Sequence, residues 1–362
     1  MPKCIVSQKY KFVAGVDTHA RTHHLTLIDN LGGIVGKREI KVSPHQMEKA
    51  VEWVVAKTDG NVLFAVEGTS SYGETFTMAL QNRGLTVCEA KAPRMKIRGQ
   101  AGKTDEIDSL WAAQNVLAKP LDKLILPKTQ GMRKVFRILL AARRNMTVQK
   151  VMDENALIAL LRTNNLDVSP VSELALTSLQ SISQWETRPD NDMALEISVA
   201  RMEAKRLAQN ILLRQATSKQ NEQQLHQAVK MFAPSLLDFP GVGPMTSAQI
   251  LCAYSHKGRI RSANAFACLA GTTPLQASSG EIKRHRLSRY GDRQLNSALT
   301  TIIMSRLIHH KPTKDYAAKC TAKGKSPREI KRSLKRYLAR SIFKHLETLE
   351  LDGSCVIYSD LG

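Results

Sequence analysis

Four acidic side chains, Asp17, Glu67, Asp105 and Asp108, stand where a folded chain could gather them. Asp17 closes the apolar run FVAGVD and Glu67 closes NVLFAVE, so both fall at strand ends and can share one sheet edge. Asp105 and Asp108, in KTDEIDS, are three apart, and on the first turns of a helix that spacing puts both carboxylates on one face. Four carboxylates in one place raise each other's pKa unless cations neutralise them. Hard oxygen donors select Mg2+ or Mn2+, and two such ions ~3.5–4 Å apart stabilise both the attacking and the leaving oxygen of a phosphoryl transfer. Singly, each acid has a plainer use: Asp105 suits the positive end of a helix dipole, and Asp17 can cap a turn. As a set on a basic chain, they point to metal-dependent chemistry on phosphodiesters.

The second chemical candidate is a hydroxyl. Ser278 and Ser279 precede Gly280, and then come Lys283, Arg284, His285, Arg286, Arg289 and Arg293. A serine attacks phosphate well only where the phosphate charge is neutralised and its own proton can leave, and crowded cations serve the first need. Serine beside glycine is also common in plain turns. No GxSxG elbow and no Ser-His-Asp order is present, which disfavours ester and peptide hydrolysis. His285 fits a phosphate contact better than a base. Upstream, FPGVGPMTSAQIL sets Gly241 and Gly243 in a turn before an apolar helix, a helix-hairpin-helix pattern that offers backbone amides and a helix N-terminus to phosphate, or else a connector with no ligand. Lys103 lies in the basic loop RMKIRGQAGK just before Asp105. Near the C-terminus a run that includes Lys331 and Arg332, with Tyr316 and Tyr337 interleaved, suits a nucleic-acid backbone, although such runs are often only solvated faces.

Positioning the acids takes a mixed sheet. Residues 12–42 hold three β-prone runs separated by polar turns and the Gly32-Gly33 pair, which predicts an antiparallel meander. Helices are expected over 44–58 and 72–83, strands over 61–67 and 85–90, and a further helix from about Thr104, whose hydroxyl suits its N-cap. Three strands followed by alternating helix and strand is the order of a ribonuclease H-like α/β domain. Two long helical stretches follow, about 128–161 and 190–229, with Val135, Leu139, Ala142 and Met146 on one apolar stripe. TNNLDVSPVS and TRPDND break the chain between them, giving a helical hairpin or coiled-coil arm. From Phe239 onward, glycine loops, short helices and dense basic residues mark a second functional domain. The fold class is therefore α/β plus α, divided into 1–127, an α/β catalytic domain; 128–230, a helical arm; 231–350, a mainly helical C-terminal domain; and 351–362, a tail.

Lys and Arg number 53 against 32 Asp and Glu, a formal charge of +21, which draws in polyanions, of which nucleic acid is the commonest. The six cysteines show no CxxC or Cys/His spacing, so neither a zinc site nor a disulfide framework is indicated and a reducing cytosol fits. With no signal-peptide pattern and no apolar stretch of about 18 residues, the chain is expected to be neither exported nor membrane-spanning.

Taken in order, GVDTH, VEGTSSY, KTDEIDS, LDFPGVGPMTSAQIL, AFACLAGTTPLQASSG and SRYGDRQLNSAL resemble the successive blocks of the DEDD transposases of insertion sequences, over roughly residues 12–345. The resemblance implies a RuvC-like domain, a coiled coil and a C-terminal transposase domain. It implies that Asp17, Glu67, Asp105 and Asp108 bind Mg2+ or Mn2+, and that Ser279, just before Gly280, forms a covalent phosphoserine with DNA. It implies double-stranded donor and target DNA as substrates and a structured bridge RNA that pairs with both. It also implies a homodimer or homotetramer in which domains of different subunits compose one active site, in a prokaryotic, cytoplasmic and nucleoid-associated setting. The chain departs from the pattern in having Glu67-Gly68-Thr69-Ser70 where relatives read EATG, and in a shorter segment after Ser279, so Ser278 stays a rival nucleophile. Two other readings remain open on the residues alone: a metal-dependent nuclease or junction resolvase that activates water, and a non-catalytic nucleic-acid-binding protein.

Overall fold

The runs FVAGVDT and VLFAVE are buried along nearly their whole length instead of alternating, as strands covered on both faces must be. They form the centre of a five-stranded sheet. Phe12–Thr18 (β1), Thr22–Asp29 (β2) and Ile34–Lys41 (β3) make an antiparallel meander, and Val62–Glu67 (β4) and Thr86–Ala90 (β5) extend it in parallel, giving the order β3-β2-β1-β4-β5. The structure, a computed structural model, describes residues 4–90, 105–127, 131–166, 168, 174–186, 194–276, 285–287 and 291–349. They fall into two compact units, Met1–Gly131 and Met132–Gly362.

In the first unit a short helix, Val6–Lys9 (α1), precedes the sheet, and helices Pro44–Thr58 (α2), Glu74–Asn82 (α3) and Asp105–Leu117 (α4) follow its strands. Side chains alternate across each strand, so each face has its own core. Val16, Leu27, Phe64 and Val66 meet Val51, Val54, Phe76 and Leu80 of α2 and α3. Val13, Ile28, Leu63, Ala65 and Cys88 meet Ala112, Ala113 and Val116 of α4.

Gly15 of β1 lets α4 come down onto the sheet. A Cβ there would lie 2.0 Å from the Ser109 carbonyl oxygen and 2.6 Å from the Ala113 nitrogen. Beside it Thr26 Oγ1 and Ser109 Oγ share a buried 2.7 Å hydrogen bond. Both obstacles are backbone, so Gly15→Ala must lift α4, and we expect a loss of roughly 3 kcal/mol in denaturant unfolding. An unchanged unfolding midpoint would refute this close approach.

In the second unit Met132–Thr163 (α5) and Leu195–Phe232 (α7) run antiparallel: Asn221 donates to the Leu139 carbonyl at 3.1 Å, and Arg214 pairs with Asp153 at 2.8 Å. The expected stripe on α5 is only partly used. Val135 and Leu139 are half-buried but Ala142 is exposed, because polar contacts such as Arg143 with Glu222 occupy the middle of the pair. A helix absent from the sequence reading, Leu176–Ser183 (α6), buries Leu179 and Ile182 in one cluster with Ala204, Leu207 and Ala208 of α7.

Pro244–Tyr254 (α8), Ala263–Leu269 (α9), Arg293–His309 (α10), Lys311–Ala322 (α11) and Pro327–Thr348 (α12) complete the unit. Their core joins Tyr254, Phe266, Leu299, Ile302, Leu338 and Ile342. Between α9 and α10 two three-residue strands, Pro274–Gln276 (β6) and His285–Leu287 (β7), pair antiparallel, with Gln276 opposite His285. Ser278, Ser279, Lys283 and Arg284 fall in the sequence between these strands and lie outside the described residues, as do Lys103 and Arg289.

Candidate functional site

Asp17 and Glu67 end β1 and β4, and the parallel register Val16↔Val66 makes them the next pair along the two strands. Both continue the series of positions that faces α4, namely Val13 and Gly15 in β1 and Leu63 and Ala65 in β4. The two strand ends are tied where Thr18 Oγ1 donates to the Glu67 carbonyl at 2.8 Å. The same helix α4 starts at Asp105 and carries Asp105 and Asp108 in its first turn. Three separate segments thus deliver four acids to one face and one edge of the sheet.

Asp17 is 5% exposed and Asp108 is 8% exposed. Burial pushes the Asp17 carboxyl above its ordinary value, the charges of Asp108 and Asp105 add to that, and His19 opposes it. His19 Nε2 stands 3.0 Å from Asp17 Oδ2 and 3.4 Å from Asp105 Oδ1. His24 Nε2 lies 3.6 Å from the other Asp105 oxygen, Oδ2. The donor atoms of Asp17, His19 and Asp105 all fall within 4.8 Å of one another, a spacing that no other group of three acidic, histidine or cysteine donors attains among the described residues. Asp108 acts on Asp17 through its charge, and Glu67 shares the edge and the face; neither belongs to that tightest trio.

A buried carboxyl crowded by two more carboxyls holds its proton unless a cation replaces it. Two carboxylates and an imidazole are a fitting donor set for a divalent ion. The histidines are what sequence reasoning passed over. The signal for His24 was its place as the cross-strand partner of Asp17, visible only once the β1–β2 register is known.

A family model of the DEDD transposase of IS110 type matches residues 14–166, the stretch that contains all four acids. A second, described as the transposase IS116/IS110/IS902 family, matches residues 233–318, which contain the glycine turn and both serines. The chain carries transposase domains of the IS110/IS116/IS902 family. Such domains support transposase or recombinase activity on DNA, and the DEDD type implies a divalent metal, for which the Asp17–His19–Asp105 group is present. No curated protein matches the chain. Among the described residues no helix is long and apolar enough to cross a membrane.

In the second transposase domain the glycine turn is held from behind. Gly241 adopts φ 75°, its missing Cβ would lie 3.0 Å from the Ile302 carbonyl oxygen, and Arg306 Nε donates to the Pro240 carbonyl at 2.6 Å. The Val242 amide donates to the Phe239 carbonyl and the Gly243 amide to Thr246 Oγ1, each at 3.0 Å. These two turn amides are engaged internally, which leaves the first turn of α8, capped by Gly243, as the part of the motif with amides free of the turn's own hydrogen bonds.

Arg293 is exposed at the first position of α10, and Lys331 and Arg332 are part-exposed on α12, while Arg286 sits in β7. Lys335 on the same helix is different: it donates to Asn296 Oδ1 at 3.1 Å and Thr300 Oγ1 at 3.3 Å, and burial pulls its pKa down. We expect Lys331→Ala to weaken duplex binding and to flatten the slope of log K against log salt by about 1. Fluorescence anisotropy across a salt series reads this, and an unaltered slope would place Lys331 off the DNA.

Proposed function

We propose that the chain cuts and rejoins double-stranded DNA for insertion-sequence transposition, with Asp17, Glu67, Asp105 and Asp108 holding Mg2+ or Mn2+ and Ser279 acting as nucleophile. The single observation that carries this is the convergence of Asp17 and Asp105 on a shared histidine at the sheet edge where Glu67 also ends. The strand order, an antiparallel meander continued by parallel crossovers, supports a RuvC-like domain over residues 1–127. In the same proposal residues 128–230 are a coiled-coil arm and 231–350 the C-terminal transposase domain.

A divalent ion bound at the acids would supply charge stabilisation to the phosphodiester oxygens. The protein groups have distinct tasks. The carboxylates would hold the ion at the edge that α4 covers, with Asp17 and Asp108 buried and Asp105 open to solvent. Ser279 Oγ bonds to phosphorus as a sugar oxygen of the cut strand leaves, and the phosphodiester is kept as a phosphoserine until a second sugar hydroxyl displaces the serine. Lys283, Arg284, Arg286 and Arg289 neutralise the phosphate during both steps.

Sequence choice falls to a structured bridge RNA that pairs with donor and target, while the protein holds backbone and shape through Lys103, the helix start that Gly241 and Gly243 introduce, Arg293, Lys331 and Arg332. A homodimer or homotetramer lets the serine of one subunit serve the acids of another.

The test is to incubate the purified protein with its co-purifying RNA, labelled donor and target duplexes and Mg2+, and to resolve the products on a denaturing gel. The expected result is a metal-dependent protein–DNA adduct that chases into recombinant DNA. Cleavage with no adduct at any time would favour a nuclease or junction resolvase that activates water.

A further inference from the structure

We propose that His19 is itself a ligand of the divalent ion, through Nε2, and that this nitrogen makes the centre prefer Mn2+ over Mg2+. The proposal rests on the reading of the carboxylates as a metal centre and adds a donor outside the four acids.

The donor spacing is the first ground. An ion held octahedrally at about 2.1 Å by each ligand leaves neighbouring donors about 3.0 Å apart. His19 Nε2 is 3.0 Å from Asp17 Oδ2, a hydrogen bond that a bound ion would replace, and 3.4 Å from Asp105 Oδ1, and the three donors lie within 4.8 Å of one another, so one ion can reach all three. The ring is brought there by the meander itself. β1 ends one residue earlier at Thr18, and the His19 amide donates to the Thr22 carbonyl at 3.0 Å, which fixes the backbone of the turn.

A second histidine stands beside the site. His24 Nε2 is 3.6 Å from Asp105 Oδ2, outside hydrogen-bond reach, and Oδ1 of the same carboxylate lies on the side of His19. The His19 side chain is 44% exposed whereas that of Asp17 is 7% exposed, so the imidazole is the solvent-facing member of this pair.

The consequence for ion choice follows from donor chemistry. Mg2+ keeps to oxygen donors and gives up water reluctantly, while imidazole suits transition-metal ions. An Asp/His/Asp trio therefore favours Mn2+ over Mg2+ more than four carboxylates alone would.

Electron spin resonance of Mn2+ added to the full-length protein tests this without any DNA reaction. Free and bound Mn2+ are counted in wild type, His19→Gln and Asp17→Asn, and nitrogen-14 modulation of the spin echo reports a directly bonded imidazole. Circular dichroism confirms that each variant is folded. The wild type should show nitrogen modulation that His19→Gln lacks, with Mn2+ affinity in that variant falling at least about tenfold and Mg2+ affinity, read by competition, falling less.

Mn2+ that binds in an Asp17-dependent way with no nitrogen modulation would overturn the His19 ligand and leave the carboxylate centre standing. Modulation that persists in His19→Gln would assign the nitrogen to another histidine and overturn the proposal as well. Binding that is absent, or indifferent to Asp17→Asn, would overturn both the carboxylate centre and the ligand built on it.

Discussion

Asp17→Asn is expected to fold, to bind duplex DNA with near wild-type affinity, and to cut it slower by a factor on the order of 10^3–10^4. The amide keeps the shape of the carboxyl and removes the charge that holds a cation. Stability moves the other way. The Asp17 pKa is raised in the folded state, mainly by burial and further by Asp108 and Asp105, so its contribution to stability is present at low pH and is lost as pH rises through the folded value. At neutral pH without metal, the neutral amide avoids that loss, and the variant should melt no lower than the wild type. Added Mn2+ should raise the melting temperature of the wild type and leave Asp17→Asn unmoved. Melting curves with and without Mn2+, beside a cleavage time course, check both halves. A variant that cuts at full rate would remove Asp17 from the centre.

Ser279→Ala should abolish the denaturant-resistant protein–DNA adduct and all strand exchange, a loss on the order of 10^4-fold or more, because the proposed ester is made through the Ser279 hydroxyl. DNA affinity and Mn2+ binding should stay near wild type, since the four acids and the basic residues are untouched. Ser278→Ala is the internal comparison and should keep the adduct. If the two variants exchange phenotypes, the nucleophile is Ser278. If Ser279→Ala still cleaves at the wild-type rate and Ser278→Ala does too, water is the nucleophile and the chain works as a nuclease.

The first unit was legible in the sequence because its strands are apolar runs bounded by polar turns and glycine. Central strands buried on both faces carry a strong signal, and acids that end such strands must lie at a sheet edge. Whether Asp17 and Glu67 are neighbours depends on register, which the structure supplies through Val16↔Val66. The start of α4 at Asp105 falls where the sequence led one to expect it, although Thr104, read as its N-cap, lies outside the described residues. His24 was not, since cross-strand partners depend on where the β1–β2 turn falls, while His19 stood in view two residues after Asp17 and only the path of the turn shows that its ring comes back to the acids.

In the second unit the features that the sequence hid have separate local causes. The α6 segment is eight residues between two breakers, too short for its stripe of Leu176, Leu179 and Ile182 to stand out. β6 and β7 have three residues each and show no period at all. On α5 the periodic stripe was real but did not decide burial, because Arg143, Asp153 and Asn221 fill the contact with charge and amide groups. The turn at Pro240–Gly243 was visible, yet the use of its amides by Phe239 and Thr246 depends on the local backbone path.

The central claim is that acids from three segments hold one divalent centre, and diffraction from crystals of the full-length protein grown with Mn2+, recorded near the manganese absorption edge, tests it most directly. An anomalous peak within about 2.3 Å of carboxylate oxygens of both Asp17 and Asp105 is expected. Manganese found only at other places on the protein, with those two carboxylates bare, would contradict it.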